Sequence, residues 1–248
     1  MSESLGGRTA LVTGAARGIG LAVAGALARY GANVALVDVD PAALKEATRL
    51  AGQGALPIAA DVSQPDDVRR AVDTTVERFG GLDILVNNAG ICPLTAFAEI
   101  SAEEWDRVLA VNLRGAFLFC QAALPHLRRS GRQGRIVNIA SVAGQMGGVT
   151  IGAHYAASKA GLIGLSKSLA QLLAADGVTV NCVAPGTTAT DLTDSWSVAA
   201  RDAVREKIPL GRFAQPDEIA EAVCFLSTDR AAFITGATID VNGGLYLR

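Results

Sequence analysis

Arg-Thr-Ala-Leu-Val-Thr-Gly-Ala-Ala-Arg-Gly-Ile-Gly, residues 8–20, is the stretch on which the reading of the whole chain turns. Thr9 to Thr13 reads as a short β-strand, apolar at Ala10, Leu11 and Val12, and Gly14, Gly18 and Gly20 follow at once. An amphipathic helix is expected over Ile19–Arg29. A strand that feeds a glycine-rich turn and then opens a helix is a phosphate-binding device. The first turn of a helix offers free N–H groups and a partial positive charge, and glycine lets a pyrophosphate approach the backbone. The spacing here is G-x-x-x-G-x-G rather than G-x-G-x-x-G. Taken alone, the loop is weak evidence, since a glycine-rich βα turn can also form without a ligand.

Downstream, Asn33–Val37 is a second apolar strand, and it ends at Asp38, eighteen residues beyond Gly20. A carboxylate at that point of a dinucleotide fold accepts hydrogen bonds from the adenosine ribose hydroxyls and repels a 2′-phosphate. Residues 39–41 are Val, Asp and Pro, which leaves Arg17 as the nearby cation, so NAD is the expected cofactor. Further strands are expected at Ala55–Ala60, Leu82–Val86, Arg135–Ala140, Val178–Val183 and Ala237–Val241, with helices between them. Strands that read as continuous apolar runs and alternate with helices indicate a parallel sheet buried on both faces. Ligands of such sheets sit beyond the carboxyl ends of the strands. Gly14, Asp38, Asp61 and Asn87–Gly90 all fall on that rim.

Composition narrows the function class. Half of the 248 residues are hydrophobic, enough to bury the core of a single α/β domain over residues 1–248. A formal net charge of −2 gives no general attraction to nucleic acid or anionic membrane. Cys92, Cys120, Cys182 and Cys224 lie far apart, and with two histidines in the chain no metal site is expected. Residues 1–8 lack an apolar leader, and no run is read as long enough to span a bilayer, so a soluble, cytoplasmic protein is expected.

The middle of the chain carries the candidate chemistry. Ser101 to Glu104 reads as a capping box that opens a long helix, and Asn112 falls inside that helix although asparagine is a mediocre helix former. Arg128, Arg129, Arg132 and Arg135 read as a solvated basic stretch at its end. Ser141 follows the fifth strand, and a loop rich in glycine, Gly144–Gly152, precedes a helix that opens His154-Tyr155-Ala156-Ala157-Ser158-Lys159. Tyr155 and Lys159 are i and i+4 and share a face. A phenol ionises near pH ~10, and a close ammonium lowers that value, so Tyr155 can exchange a proton near neutrality. Ser141 is placed to hold a carbonyl or hydroxyl oxygen. Residues 187–209 lose the strand–helix alternation and read as a substrate lid, with Thr187, Thr188, Thr190, Thr193, Ser195 and Trp196.

Together these motifs resemble the short-chain dehydrogenase/reductase family over nearly the whole chain: TGAARGIG at 13–20, Asp61-Val62, NNAG at 87–90, Asn112, Ser141, Tyr155, Lys159, Pro185-Gly186 and ITGATIDVNGG at 234–244. The resemblance implies a Rossmann-type, doubly wound sheet of seven parallel strands in the order 3-2-1-4-5-6-7 with helices on both faces. It implies a catalytic set in which Tyr155 is the general acid/base, Lys159 lowers its pKa and binds the nicotinamide ribose, Ser141 positions the substrate oxygen and Asn112 supports a water in a proton relay. It also implies a cofactor site of Gly14, Arg17, Gly18, Ile19, Gly20, Asp38, Asp61, Val62, Asn88, Ala89, Gly90, Tyr155, Lys159, Pro185, Gly186, Thr188 and Thr190, and a homotetramer. Ser141 lies fourteen residues before Tyr155, one more than the family's commonest spacing. Among its members the chain is similar to 3-oxoacyl carrier-protein reductases and to NAD-linked sugar or polyol dehydrogenases. Asp38 argues for NAD, and Asp176 stands where the former carry a basic residue. The expected reaction is therefore hydride transfer between NAD and the secondary alcohol of a polyol, sugar or other hydroxy compound, with no carrier-protein partner. The alternative is reduction of a 3-oxoacyl thioester of a carrier protein or CoA.

Overall fold

The computed structural model describes residues 4–52, 54–130, 134–148, 151–194 and 196–247. Seven parallel strands form one sheet in the order β3-β2-β1-β4-β5-β6-β7. The strands are β1 (Thr9–Thr13), β2 (Asn33–Asp38), β3 (Leu56–Ala59), β4 (Ile84–Asn87), β5 (Arg135–Ile139), β6 (Thr179–Pro185) and β7 (Thr238–Val241). The helices are α1 (Gly18–Arg29), α2 (Pro41–Ala51), α3 (Pro65–Phe79), α4 (Ala102–Leu109), α5 (Gly115–Arg129), α6 (Ala143–Met146), α7 (Ala153–Leu173), α8 (Asp191–Asp194), α9 (Val198–Arg205) and α10 (Pro216–Ser227).

The unbroken apolar character of the central strands follows from two cores, one on each face. Alternate side chains of β1 and β2 part company: Ala10, Val12, Val34 and Leu36 join Val23 and Leu27 of α1, Leu44 of α2 and Val223 of α10. Leu11, Ala35 and Val37 join Val68 and Val72 of α3, Phe119 and Leu127 of α5 and Leu173 of α7. A strand with a core on both sides has no position for a polar residue except at its ends, which is where the ligand-facing groups then collect.

Four local expectations are corrected. The long helix expected after Ser101 is one continuous run, but residues Ala110–Arg114 form a π-turn between α4 and α5, and Asn112 sits in it. That run, 102–129, is long and apolar enough by composition to cross a bilayer, contrary to expectation. Here it lies against the sheet instead, with Ala116, Phe119, Cys120, Ala123 and Leu127 buried. Arg135 is not part of a solvated basic stretch: it is 1% exposed and shares the Asp229 carboxylate with Arg8. Arg128 is paired at 2.8 Å with Asp176, and Arg132 lies outside the described residues. Finally, β6 runs on to Pro185, whose missing N–H is harmless at the last position of a strand.

Candidate active site

At the carboxyl ends of the strands lies a cavity of about 2020 Å³. The β1–α1 turn forms one wall. Gly14 has φ +63°, and a Cβ there would stand 2.8 Å from Ala89 Cα, so the turns after β1 and β4 can touch only with glycine at this position. Arg17 precedes α1 in extended conformation, and no side chain caps the helix, so its first N–H groups are left to the cavity side. Asp38 lines the cavity and braces the loop: Ala16 N donates to its Oδ2 at 3.0 Å, and Asp40 N to its Oδ1 at 3.2 Å. Arg17 is held by Asp40 at 3.2 Å.

Further along the rim, the Asp61 carboxylate accepts from Ser63 N and Oγ, both at 2.8 Å, and Val62 is packed beside Gly115. Asn88 Nδ2 donates to the Thr13 and Gly14 carbonyls at 3.0 Å. Thr13 was not expected as a site residue, yet its Oγ1 accepts from Asn88 N at 3.0 Å and Ala89 N at 3.1 Å, joining the two turns. The only sequence signal was a hydroxyl at the last position of an apolar strand.

Of the expected site residues, all but two line the cavity. Gly20 does not. A Cβ there would lie 2.0 Å from the Gly14 carbonyl oxygen, so its task is to let α1 close on the loop rather than to touch a ligand. Asn112 stands behind the wall, 1% exposed. Its Oδ1 accepts from Ile91 N at 2.8 Å, and its Nδ2 donates to Ile91 O at 2.9 Å and Ser158 Oγ at 3.1 Å. It shapes the segment after β4 through the backbone of Ile91.

Ser141, Tyr155 and Lys159 meet in the cavity. Ala143 N donates to Ser141 Oγ at 3.1 Å. Lys159 is buried, its Nζ donates to the Ile139 carbonyl at 2.7 Å, and burial pushes its ammonium down to about 8. Burial likewise pushes the Tyr155 phenol up, the neighbouring Cys92 thiol adds to this, and a hydrogen bond with Ser141 pulls it back. The expected lowering by Lys159 is thus not the leading effect: Nζ is 5.8 Å from the ring centroid and spends its hydrogen bond on Ile139.

A nicotinamide dinucleotide fits these residues: an uncapped helix N-terminus, a turn without Cβ atoms where the backbone must be approached, and a carboxylate at the end of β2. The remaining lining mixes the apolar side chains of Leu94, Met146, Ile151, Trp196, Val204 and Leu245 with the charged groups of Arg107, Arg114, Asp191 and Lys207. Trp196 packs edge-on against Phe213, with ring centroids 6.4 Å apart. Three hydroxyls of this region bond to nearby backbone. Thr193 Oγ1 donates to the Thr188 carbonyl at 3.1 Å, Thr188 Oγ1 to the Gly186 carbonyl at 3.4 Å, and Ser197 Oγ accepts from Ala200 N at 3.3 Å. Ser195 lies outside the described residues, as do positions 149 and 150 of the loop before Tyr155.

Comparison with known proteins bears on the substrate. A family model described as enoyl-(acyl carrier protein) reductase matches residues 14–246. The 3-oxoacyl-[acyl-carrier-protein] reductase FabG of Staphylococcus aureus is 43% identical over 244 residues, covering 97% of this chain and 98% of that protein. The FabG of Vibrio cholerae is 42% identical over 244 residues, 98% and 99% respectively. Among solved structures, a Brucella melitensis short-chain dehydrogenase/reductase described as glucose/ribitol dehydrogenase superposes with a TM-score of 0.94 at 38% identity over all of both chains. The expectation of a polyol or sugar substrate is overturned by the curated relatives, which are named as reductases of 3-oxoacyl thioesters. That expectation rested on Asp38, which braces the β1–α1 turn, and on Asp176, which pairs with Arg128, and neither residue reads the substrate.

Proposed function

The chain belongs to the short-chain dehydrogenase/reductase family of oxidoreductases, which bind a nicotinamide cofactor, and on that premise we propose that it reduces 3-oxoacyl thioesters, carried on an acyl carrier protein or CoA, to 3-hydroxyacyl thioesters with NADH. The observation that carries this reading is one cavity lined by Ser141, Tyr155 and Lys159, by the first turn of α1 and by the apolar side chains of Leu94, Met146, Ile151 and Leu245.

When bound, the nicotinamide supplies the hydride and leaves a positively charged ring. Tyr155 gives its phenol proton to the 3-oxo oxygen as the carbonyl carbon is reduced, and Ser141 donates a hydrogen bond to the same oxygen. Lys159 anchors the nicotinamide ribose and faces the Tyr155 ring. Residues 187–209, with α8 and α9, form the substrate lid of one domain spanning residues 1–248. NADH is preferred because a 2′-phosphate would face Asp38, while the nearby Arg17 is already neutralised by Asp40. Of the basic side chains that could meet an acidic carrier protein, Arg128 is paired with Asp176.

A homotetramer of a soluble, cytoplasmic enzyme completes the proposal. Trp105 and Phe117 on the 102–129 run, and Phe233 and Leu247 near β7, leave apolar surface exposed that copies of the chain would cover. Light scattering tests the assembly. Activity is tested by NADH and NADPH oxidation with acetoacetyl-CoA and a 3-oxoacyl carrier protein. Turnover of either thioester supports the reading, and failure with both, by folded protein that binds NADH, overturns it.

A further inference from the structure

His154 is fully buried and makes two hydrogen bonds. The backbone N–H of Tyr155 donates to its Nδ1 at 2.9 Å, and its Nε2 is 2.8 Å from Glu104 Oε1. A backbone N–H can only donate, so Nδ1 is the bare nitrogen and the ring proton sits on Nε2, pointing at the carboxylate. The ring has one place to be. A Cβ on Gly152 would stand 2.1 Å from its Cε1 and 3.0 Å from the Pro93 carbonyl oxygen. The same Tyr155 N–H also lies 3.0 Å from the Gly152 carbonyl oxygen, so at the start of α7 the imidazole shares it with that acceptor.

The carbonyl of Tyr155 is tied as well. Ser158 Oγ donates to it at 2.7 Å, and Ser158 accepts from Asn112 Nδ2 at 3.1 Å. Both backbone groups of Tyr155 are thereby linked to one helical run: the N–H through His154 to Glu104 in α4, the C=O through Ser158 to Asn112 in the π-turn. The run from α4 through the π-turn is unbroken, so the two attachments form a rigid pair of straps.

We propose that His154 and Glu104 are positioning residues that set the place of the Tyr155 phenol by clamping its backbone N–H to α4. The inference rests on reading Tyr155 as the proton donor. The Glu104 carboxyl is held below the usual carboxylate range by hydrogen bonds from Thr95 and then His154, as a group engaged from two sides should be. Neither His154 nor Glu104 lines the cavity, so both act through Tyr155.

The test uses full-length His154→Phe, Glu104→Leu, Glu104→Gln and Thr95→Val, with Tyr155→Phe as the control for the underlying reading. His154→Phe and Glu104→Leu are expected to lower kcat about tenfold, leave KM for NADH within about twofold, and raise the solvent deuterium isotope effect as proton transfer becomes limiting. Glu104→Gln, whose amide oxygen still accepts from Nε2–H, is expected to stay within about twofold of wild type, as is Thr95→Val. Unchanged kcat and isotope effect in folded Glu104→Leu overturn the proposal, even if His154→Phe fails to fold. Glu104→Gln as impaired as Glu104→Leu overturns it too. Full activity in Tyr155→Phe instead overturns the reading of Tyr155 itself.

Discussion

Lys159 Nζ stands 5.8 Å from the centroid of the Tyr155 ring and spends its hydrogen bond on the carbonyl of Ile139, 2.7 Å away. The ammonium is therefore a fixed charge facing the ring, and the proton that leaves the phenol has Ser141 and the substrate oxygen as its neighbours. The assignments of these groups separate cleanly under mutation.

Tyr155→Phe removes the proton donor and little else. Its kcat with acetoacetyl-CoA should fall by about 10³-fold or more, as expected when general acid catalysis and its hydrogen bond are both lost. NADH affinity, read by quenching of protein fluorescence, should change by less than about threefold. Retention of a tenth of wild-type turnover would rule out the assigned mechanism.

Lys159→Met should be inactive yet more stable. The ammonium is depressed from 10.5 to about 8 by burial. Below pH 8 both folded and unfolded chains hold the proton, and the cost of burying the charge, about 3 kcal/mol, is present in full. It is relieved as pH rises from 8 to 10.5, so wild-type stability gains from this group over that window. Methionine removes the charge but leaves the Ile139 carbonyl without its donor, which takes back about 1–3 kcal/mol. At pH 7 a net rise in Tm of about 2–4 °C is expected, shrinking toward pH 10 and read by calorimetry across that range.

On the proposed reading, Asp38 sets the preference for NADH. Asp38→Ala should reduce the preference for NADH over NADPH by about 10–100-fold in kcat/KM, through removal of a carboxylate facing the 2′ position. Adding Asp40→Ala frees Arg17 and should push the preference further toward NADPH. Wild-type enzyme that already prefers NADPH would overturn this reading of Asp38.

Gly20→Ala should act on folding rather than on binding. Its Cβ would meet the Gly14 carbonyl oxygen at 2.0 Å and Asn88 Nδ2 at 2.5 Å. Neither the turn nor the helix can yield without breaking the Asn88 bonds to Thr13 and Gly14. A loss of about 3 kcal/mol or more is expected, seen as a fall in the urea midpoint.

Much of the site was legible because it is local. The glycines, Asp38, Asn88–Gly90 and Ser141 each end a strand, and a strand end in a parallel sheet of this kind is a rim position wherever the sheet lies. Tyr155 and Lys159 share a face by helical period alone. The substrate was read wrongly for the converse reason: Asp38 and Asp176 are single positions that bear on the nucleotide and on the surface, where Asp176 pairs with Arg128, and neither reports which side chains face the substrate.

By itself the sequence determined the alternation of strands and helices and the parallel sheet buried on both faces, which follow from periodicity within each element, while the nucleotide turn and the Ser–Tyr–Lys set were expected from the family resemblance of their motifs. Tertiary structure alone decided that Asn112 occupies a π-turn behind the cavity and that Gly20 is a packing residue. It also decided that Thr13 joins two turns and that Glu104 reaches His154, fifty residues away. These are contacts between segments distant in the chain, and a periodic pattern records which side of an element is apolar but not which neighbour the other side meets.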